Sequence, residues 1–431
     1  IAEVLAFAYW LRFRREQSAS VHAIPAENPH GLRWLAAFRV ALWVLLLSWL
    51  VSTALLYVRL SQPLQGWYYE PAAWRSFFEP PWFSKLQPLL SVLHYIPVFA
   101  LGLLLLNGIV FAARSRTHAP SSIVPPVRPM LGWMVAGGAL VAIQAFVQIS
   151  QGIHNWLWTL QDGNPPGGPF RDRNLLSPVL VILGAIAIAY AVRLKSPATR
   201  FAAFASAAMF LVLGSAAGCR NGILMIAALG FLLLIARPSK ARLAIAALGI
   251  GFVSYALLWM PLPPAAADQS TIQRSVNSMH DLRKGNWDAV LLYRNKVYED
   301  ALGVGKAYPL TGAGAGSFRM LAHPEAQFKE FYRHYYLPPM HAHNMPLQMF
   351  AELGVPGALA WIAVWLIIPL LALFFWRRAN TVAAVVALIG LGNQLDVVWM
   401  LEGFTTIAVL LVAIACADLL FDENTQRGVS A

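Results

Sequence analysis

Two histidines and an asparagine stand together at His341-Ala342-His343-Asn344, where a long polar stretch gives way to an apolar run. Imidazole has a reference pKa of about 6.5 and can take or give a proton near neutral pH. A His pair at that boundary, in an otherwise greasy chain, points to catalysis or metal binding; the plain structural alternative is a pair of interfacial residues capping a helix. Residues two apart do not share a helix face. No HExxH spacing, cysteine or acidic cluster adjoins them. Acid–base work by one ring, His343 first and His341 as fallback, is therefore favoured over metal ligation, with Asn344 placed to orient a ring or hold substrate. The chain has no GxxxxGK[ST] phosphate loop, and no cofactor is expected.

Arginines supply the complementary chemistry. Arg220 falls in Gly218-Cys219-Arg220-Asn221-Gly222, a break inside a nearly continuous apolar stretch. A guanidinium there is costly unless it pairs or binds an anion, and its planar fork fits phosphate oxygens; a snorkelling helix-end residue is the bland alternative. Arg294 lies on an expected amphipathic helix that runs toward Pro309-Leu310-Thr311-Gly312-Ala313-Gly314-Ala315-Gly316. That glycine run permits either close approach to a ligand or a sharp turn. In Arg171-Asp172-Arg173-Asn174, Asn174 is expected to cap the following helix. Arg171 and Arg173 then sit at its positive end, where an anion is favoured; ordinary helix initiation explains the same residues.

The elements that must position these groups are membrane spans. The chain is 58% hydrophobic and 12% charged, against about 25% charged in soluble proteins. Apolar runs near the required length of about 20 residues occur at 34–58, 89–112, 130–150, 175–192, 201–218, 221–236, 243–260, 346–375, 381–398 and 402–420. The expected fold is all-α: a polytopic transmembrane helical bundle of at least ten spans. The chain starts with Ile, and 1–11 reads as the tail of a truncated N-terminal helix. We divide it into a 1–260 N-terminal transmembrane bundle, a 261–345 segment outside the membrane that carries part of the site, and 346–431 C-terminal transmembrane helices.

Loop charge orients the spans. Arg12, Arg14, Arg15 and Arg33, then Arg114, Arg116 and Arg128, then Arg193, Lys195 and Arg200, then Arg237, Lys240 and Arg242, then Arg377 and Arg378 all fall on one side if the chain breaks at 218–222. Short basic loops mark the cytoplasmic face. One kinked helix over 201–236 would split them between faces, so the break is preferred. The loops also account for most of the +12 net charge, which in a soluble protein would suggest nucleic acid; none is expected as a partner. Arg220, Arg294 and His343 then share the opposite face with an aromatic loop over 59–88. Cys219 and Cys416 both adjoin apolar spans and read as reduced packing residues.

Four segments together resemble the O-antigen ligase family and the superfamily it shares with O-antigen polymerases and bacterial protein O-oligosaccharyltransferases. They are Gly168–Leu175, a helix start; Ser215–Gly222, a Ser…Arg-x-Gly break; Arg294 through Pro309-Leu310-Thr311-Gly312-Ala313-Gly314; and His341–Gly357, similar to a His-Asn…Glu-Leu-Gly…Gly stretch and the most specific of the four. Coverage runs over 168–375. Where the family often has Trp shortly after the Arg294 position, this chain has Lys296-Val297-Tyr298.

The resemblance implies a GT-C-like, metal-independent, inverting glycosyltransferase, multi-pass in the bacterial inner membrane, with its site facing the periplasm. It implies transfer of O-antigen from undecaprenyl pyrophosphate to lipid A–core oligosaccharide, with membrane lipids as surroundings. Carried onto this sequence, His343, Arg220 and Arg294 are catalytic, and His341, Asn344, Arg171, Arg173 and Asn174 bind substrate. A polymerase or a protein O-oligosaccharyltransferase is the alternative. Arg294 to Gly305 fits an Arg-x10-Gly pattern associated with polymerases, a spacing this composition also yields by chance. A transporter of lipid-linked glycans is a weaker rival, because the polar residues gather at one face instead of midplane.

Overall fold

The computed structural model describes residues 29–59, 68–69, 93, 95–109, 127–151, 173–217, 219–236, 249, 281, 283–287, 291, 294–318, 321–322, 341–375, 381–394 and 404–420. Among the described residues, apolar sequence at near-span length folds as helix. The helices are α1 (Pro29–Arg59), α2 (Tyr95–Ile109), α3 (Val127–Gln151), α4 (Arg173–Ala191), α5 (Pro197–Ala216), α6 (Arg220–Ala236) and α7 (Arg294–Ala307). There follow α8 (Met345–Ile362), a π turn (Ala363–Ile367), α9 (Ile368–Phe375), α10 (Thr381–Gly392) and α11 (Phe404–Leu420). The expected span at 243–260 lies outside the described residues apart from Gly249.

Five stretches are long and apolar enough to cross a membrane: Arg33–Leu56, Arg128–Ile149, Asn174–Ala191, Pro197–Ala216 and Met345–Phe374. α2, α6, α10 and α11 are shorter apolar helices. Trp133, Leu140, Ile143 and Phe146 on α3, and Phe201 on α5, are exposed. Rows of exposed large apolar side chains suit lipid rather than water, so this is an integral membrane protein. Cys219 and Cys416 are buried thiols outside any disulfide, as packing residues should be.

The 201–236 stretch is two helices, separated at 217–219. α5 stops where the Ala217 N–H closes on the Leu213 carbonyl, and α6 begins at Arg220. Both pack on the buried helix α4. Ser177 of α4 donates its hydroxyl to the Gly214 carbonyl at 2.5 Å, and a Cβ on Gly222 would meet the Ser177 Oγ at 1.8 Å. A glycine here lets the start of α6 lie directly on α4, the small-residue contact that membrane helices use.

The apolar run over 346–375 meets a single long span, Met345–Phe374, whose helix is irregular at two places. The backbone leaves helical geometry at Gly354 (φ 74°, ψ −172°), just before Pro356, and it winds as π over 363–367. A break in a buried helix leaves amides and carbonyls without partners, and these must be paired elsewhere. The 309–314 loop supplies the partners. The Val355 N–H donates to the Pro309 carbonyl (2.7 Å), while the Ala351 and Glu352 carbonyls accept from Ala313 (2.8 Å) and Gly314 (3.1 Å). The fit requires glycine on both sides. Gly312 (φ 63°) would place a Cβ 2.1 Å from the Glu352 carbonyl carbon, and Gly354 would place one 2.6 Å from that of Leu310.

Among the described residues the non-helical pairing is small. Tyr68–Tyr69 (β1) runs antiparallel to Leu321–Ala322 (β2). It joins the aromatic loop to the 261–345 segment, two stretches that the charge pattern puts on one face.

Candidate functional site

The two ends of α10 identify two ends of the bundle. At its start, Thr381 Oγ1 accepts from Arg193 Nη1 at 2.7 Å, beside the turn that follows α4. At its finish, the turn 392–394 gathers two elements through three hydrogen bonds. The Gly392 carbonyl accepts from Asn221 Nδ2 (3.1 Å), next to Arg220. The Asn393 carbonyl accepts from the Met345 N–H (2.8 Å), and the Gln394 carbonyl accepts from Asn344 Nδ2 (2.9 Å). The α6 start that bears Arg220 and the histidine turn therefore meet on one short turn, at the end opposite Arg193.

The histidine turn is held amide by amide. Asn344 is the N-cap of α8: its Oδ1 accepts from the Leu347 N–H at 3.0 Å, satisfying one of the free donors at a helix start. The Ala342 N–H donates to Gln348 Oε1 at 2.7 Å, and the His343 N–H donates to His341 Nδ1 at 3.3 Å. His343 has φ 50°, the left-handed region, which few non-glycine residues adopt. The two imidazoles meet edge to face, with centroids 4.2 Å apart. Both are half-buried. The Asn344 role foreseen was ring orientation or substrate binding; its side chain is committed to capping α8 and to tying the turn to Gln394.

Glu352 lies behind this turn, 2% exposed. Its Oε2 accepts from the Gly316 N–H (2.9 Å), and its Oε1 accepts from the Phe318 N–H (3.2 Å) and Gln348 Nε2 (2.8 Å). Ser52 of α1 donates its hydroxyl to the Glu352 carbonyl. Gln348 thus bridges carboxylate and histidine turn, with its amide orientation fixed: Nε2 toward the acid, Oε1 toward Ala342. The glycine run, read from sequence as either a ligand cradle or a turn, is used as a turn that folds onto Glu352.

α7 carries Arg294 at its first residue, with a half-buried side chain. It docks against α8 through Gly305, where a Cβ would sit 2.3 Å from the Phe350 ring. Val297, Ala301 and Val304 share one apolar cluster with Ala342 and Ala351, so α7 is seated on the histidine turn. α4 begins at Arg173, which corrects the expected cap: Asn174 lies inside its first turn. Arg171 is outside the described residues, as are the side chains of Arg173 and Arg220.

Asp300 on α7 is buried, and its carboxyl is pushed up from 3.8 to about 7. Burial is the main cause and the neighbouring Glu299 charge adds to it, while Lys296 opposes. The folded state holds this proton more tightly than the unfolded chain does. Its contribution to stability is therefore complete below pH 3.8 and is lost as pH rises through about 7. Asp300→Asn is expected to flatten the pH dependence of thermal stability over that window in detergent. An unchanged slope would mean that Asp300 does not set it.

Sequence inspection missed Gln348, Glu352, Asn393 and Gln394 as site-building residues. A signal existed for two of them: Gln348 and Glu352 are four apart inside an apolar span, where polar groups are expensive and seldom idle. Asn393-Gln394 near the end of the 381–398 run carried no comparable mark.

A polytopic helical membrane protein with a polar cluster at one end of its bundle is the class this structure defines. Residues 201–362 match the family model described as O-antigen ligase. The match spans the α5–α6 break, α7, the glycine loop, the histidine turn and Glu352, and it is consistent with membership of the O-antigen ligase family. It supports a glycosyltransferase-like membrane enzyme of the ligase/polymerase superfamily. The comparison with curated proteins finds no match.

Proposed function

We propose that this protein transfers O-antigen from undecaprenyl pyrophosphate to lipid A–core oligosaccharide at the periplasmic face of the bacterial inner membrane. The observation that carries the reading is the 392–394 turn, which binds the Arg220 helix start and the histidine turn into one cluster. The basic loops support its orientation, since Arg193 belongs to the opposite end.

In this reading His343 takes the proton of the acceptor hydroxyl as that oxygen attacks the anomeric carbon. The carbon–oxygen bond to pyrophosphate breaks in the same displacement, which inverts the centre. Charge grows on the departing pyrophosphate. Arg220 and Arg294, with Arg171 and Arg173 in support, stabilise it more in the transition state than in the ground state, which is what lowers the barrier. Asn174 extends the polar wall, and Asn344 serves it by capping α8 beside the base. The arginines take the place of a divalent cation.

The test is purified protein in nanodiscs with polyprenyl-pyrophosphate-linked glycan and lipid A–core, resolved by gel. A lipid A–core band shifted by the glycan mass is expected, and EDTA should leave it unchanged. Longer lipid-linked glycan with unmodified lipid A–core would make the protein a polymerase. Loss of transfer in EDTA, restored by Mg²⁺ or Mn²⁺, would overturn metal independence.

A further inference from the structure

The hydrogen bond from the His343 N–H to His341 Nδ1 (3.3 Å) has a chemical consequence. A neutral imidazole has one acceptor nitrogen and one N–H. With Nδ1 accepting, the ring hydrogen of His341 sits on Nε2. The amide it receives belongs to His343, whose φ of 50° is unfavourable for a side chain with a Cβ. Such a conformation persists only where its surroundings hold it. Three bonds do so here. Gln348 Oε1 fixes the preceding amide (2.7 Å), His341 Nδ1 fixes the His343 amide itself, and the Asn393 carbonyl fixes the Met345 amide beyond it (2.8 Å). Of these three, the His341 bond is the one made by the His343 N–H itself.

We propose that His341 is a positioning residue, acting through His343: its Nδ1 holds the His343 backbone in the left-handed conformation, which aims the His343 ring. The inference rests on reading His343 as the general base. It gives the first histidine a role other than second base or substrate ligand. Without the acceptor, the His343 peptide loses this restraint, and any relaxation from φ 50° turns the Cα–Cβ bond and swings the ring off line. The edge-to-face contact of the rings, with centroids at 4.2 Å, adds a steric stop on the same side.

Asparagine and glutamine separate the two ring nitrogens. His341→Asn places an amide oxygen near the Nδ1 position, whereas His341→Gln places its amide near Nε2. With the lipid-linked glycan and lipid A–core assay in nanodiscs, His341→Asn should restore most of the kcat that His341→Ala loses. His341→Gln should lose about tenfold or more in kcat, as expected when a reacting group is misplaced, with KM for lipid A–core retained. Activity in the Gln variant but not in the Asn variant would overturn the proposal in favour of an Nε2 contact. Equal loss in both, with folding intact, would overturn it in favour of a ring that takes part in the chemistry.

A second measurement does not depend on the substrate. In ¹⁵N-histidine-labelled protein, the ring signal that disappears in His341→Asn should report the Nε2–H tautomer. An Nδ1–H tautomer would sink the inference. If the parent protein transfers no glycan, the proposed function falls, and the tautomer still decides the role of His341 in shaping the turn.

Discussion

His343→Ala is expected to leave the protein folded while lowering glycan transfer by about 10²–10⁴-fold, the usual cost of losing a general base. The turn that carries His343 is built from other groups. Its amides run to Gln348, His341, the Asn393 carbonyl and Asn344, and none of these bonds uses the His343 ring. The substitution does touch the backbone, because alanine is a poor residue at φ 50°. His343→Asn is therefore the companion variant, since asparagine tolerates left-handed geometry better. Both variants should be monodisperse and unfold near the parent temperature. Full activity in either one would remove His343 from the mechanism.

Glu352→Ala should be the most destabilising single change at the end of the bundle that holds the histidine turn. Its carboxylate receives three donors, the Gly316 and Phe318 amides and Gln348 Nε2, and each orphaned buried donor costs about 1–3 kcal/mol. The damage spreads along the chain of contacts. The glycine loop loses its anchor, Gln348 loses the partner that sets its orientation, and Ala342 loses a fixed acceptor. Glu352→Gln preserves volume but replaces one acceptor oxygen with a donor that must face an N–H or the Gln348 amide, so it should fall between parent and Ala. Thermal unfolding in detergent, with proteolysis of the 309–318 loop as a second readout, measures both. A Glu352→Ala protein that melts and resists protease like the parent would show that the network carries no stability.

The helices were legible because apolar length dictates them: most expected spans meet a helix, and the α5–α6 break was visible as polar and glycine residues between two greasy runs. Arg294 at the head of an amphipathic helix was legible for the same reason. Less could be read inside the 346–375 run. Hydropathy is blind to a glycine at φ 74° and to a π turn, since both keep apolar composition while changing direction. The Glu352 contacts escaped notice because they join residues 36 apart through backbone amides, which every sequence offers and none advertises. Asn344 reads from sequence as a residue that orients a ring or holds substrate, because an amide beside a histidine suggests chemistry. Its work as a cap depends on where α8 begins, a boundary that sequence fixes only loosely.

The turn at 392–394 also imposes an order on biosynthesis. The carbonyls that satisfy Asn221, Asn344 and Met345 come from residues made after all of them. While the ribosome is still adding α10, the arginine-bearing start of α6 and the histidine turn can both be in the membrane, yet their polar groups lack these partners. A half-made chain thus carries the arginine and histidine segments before the turn that brings them together exists.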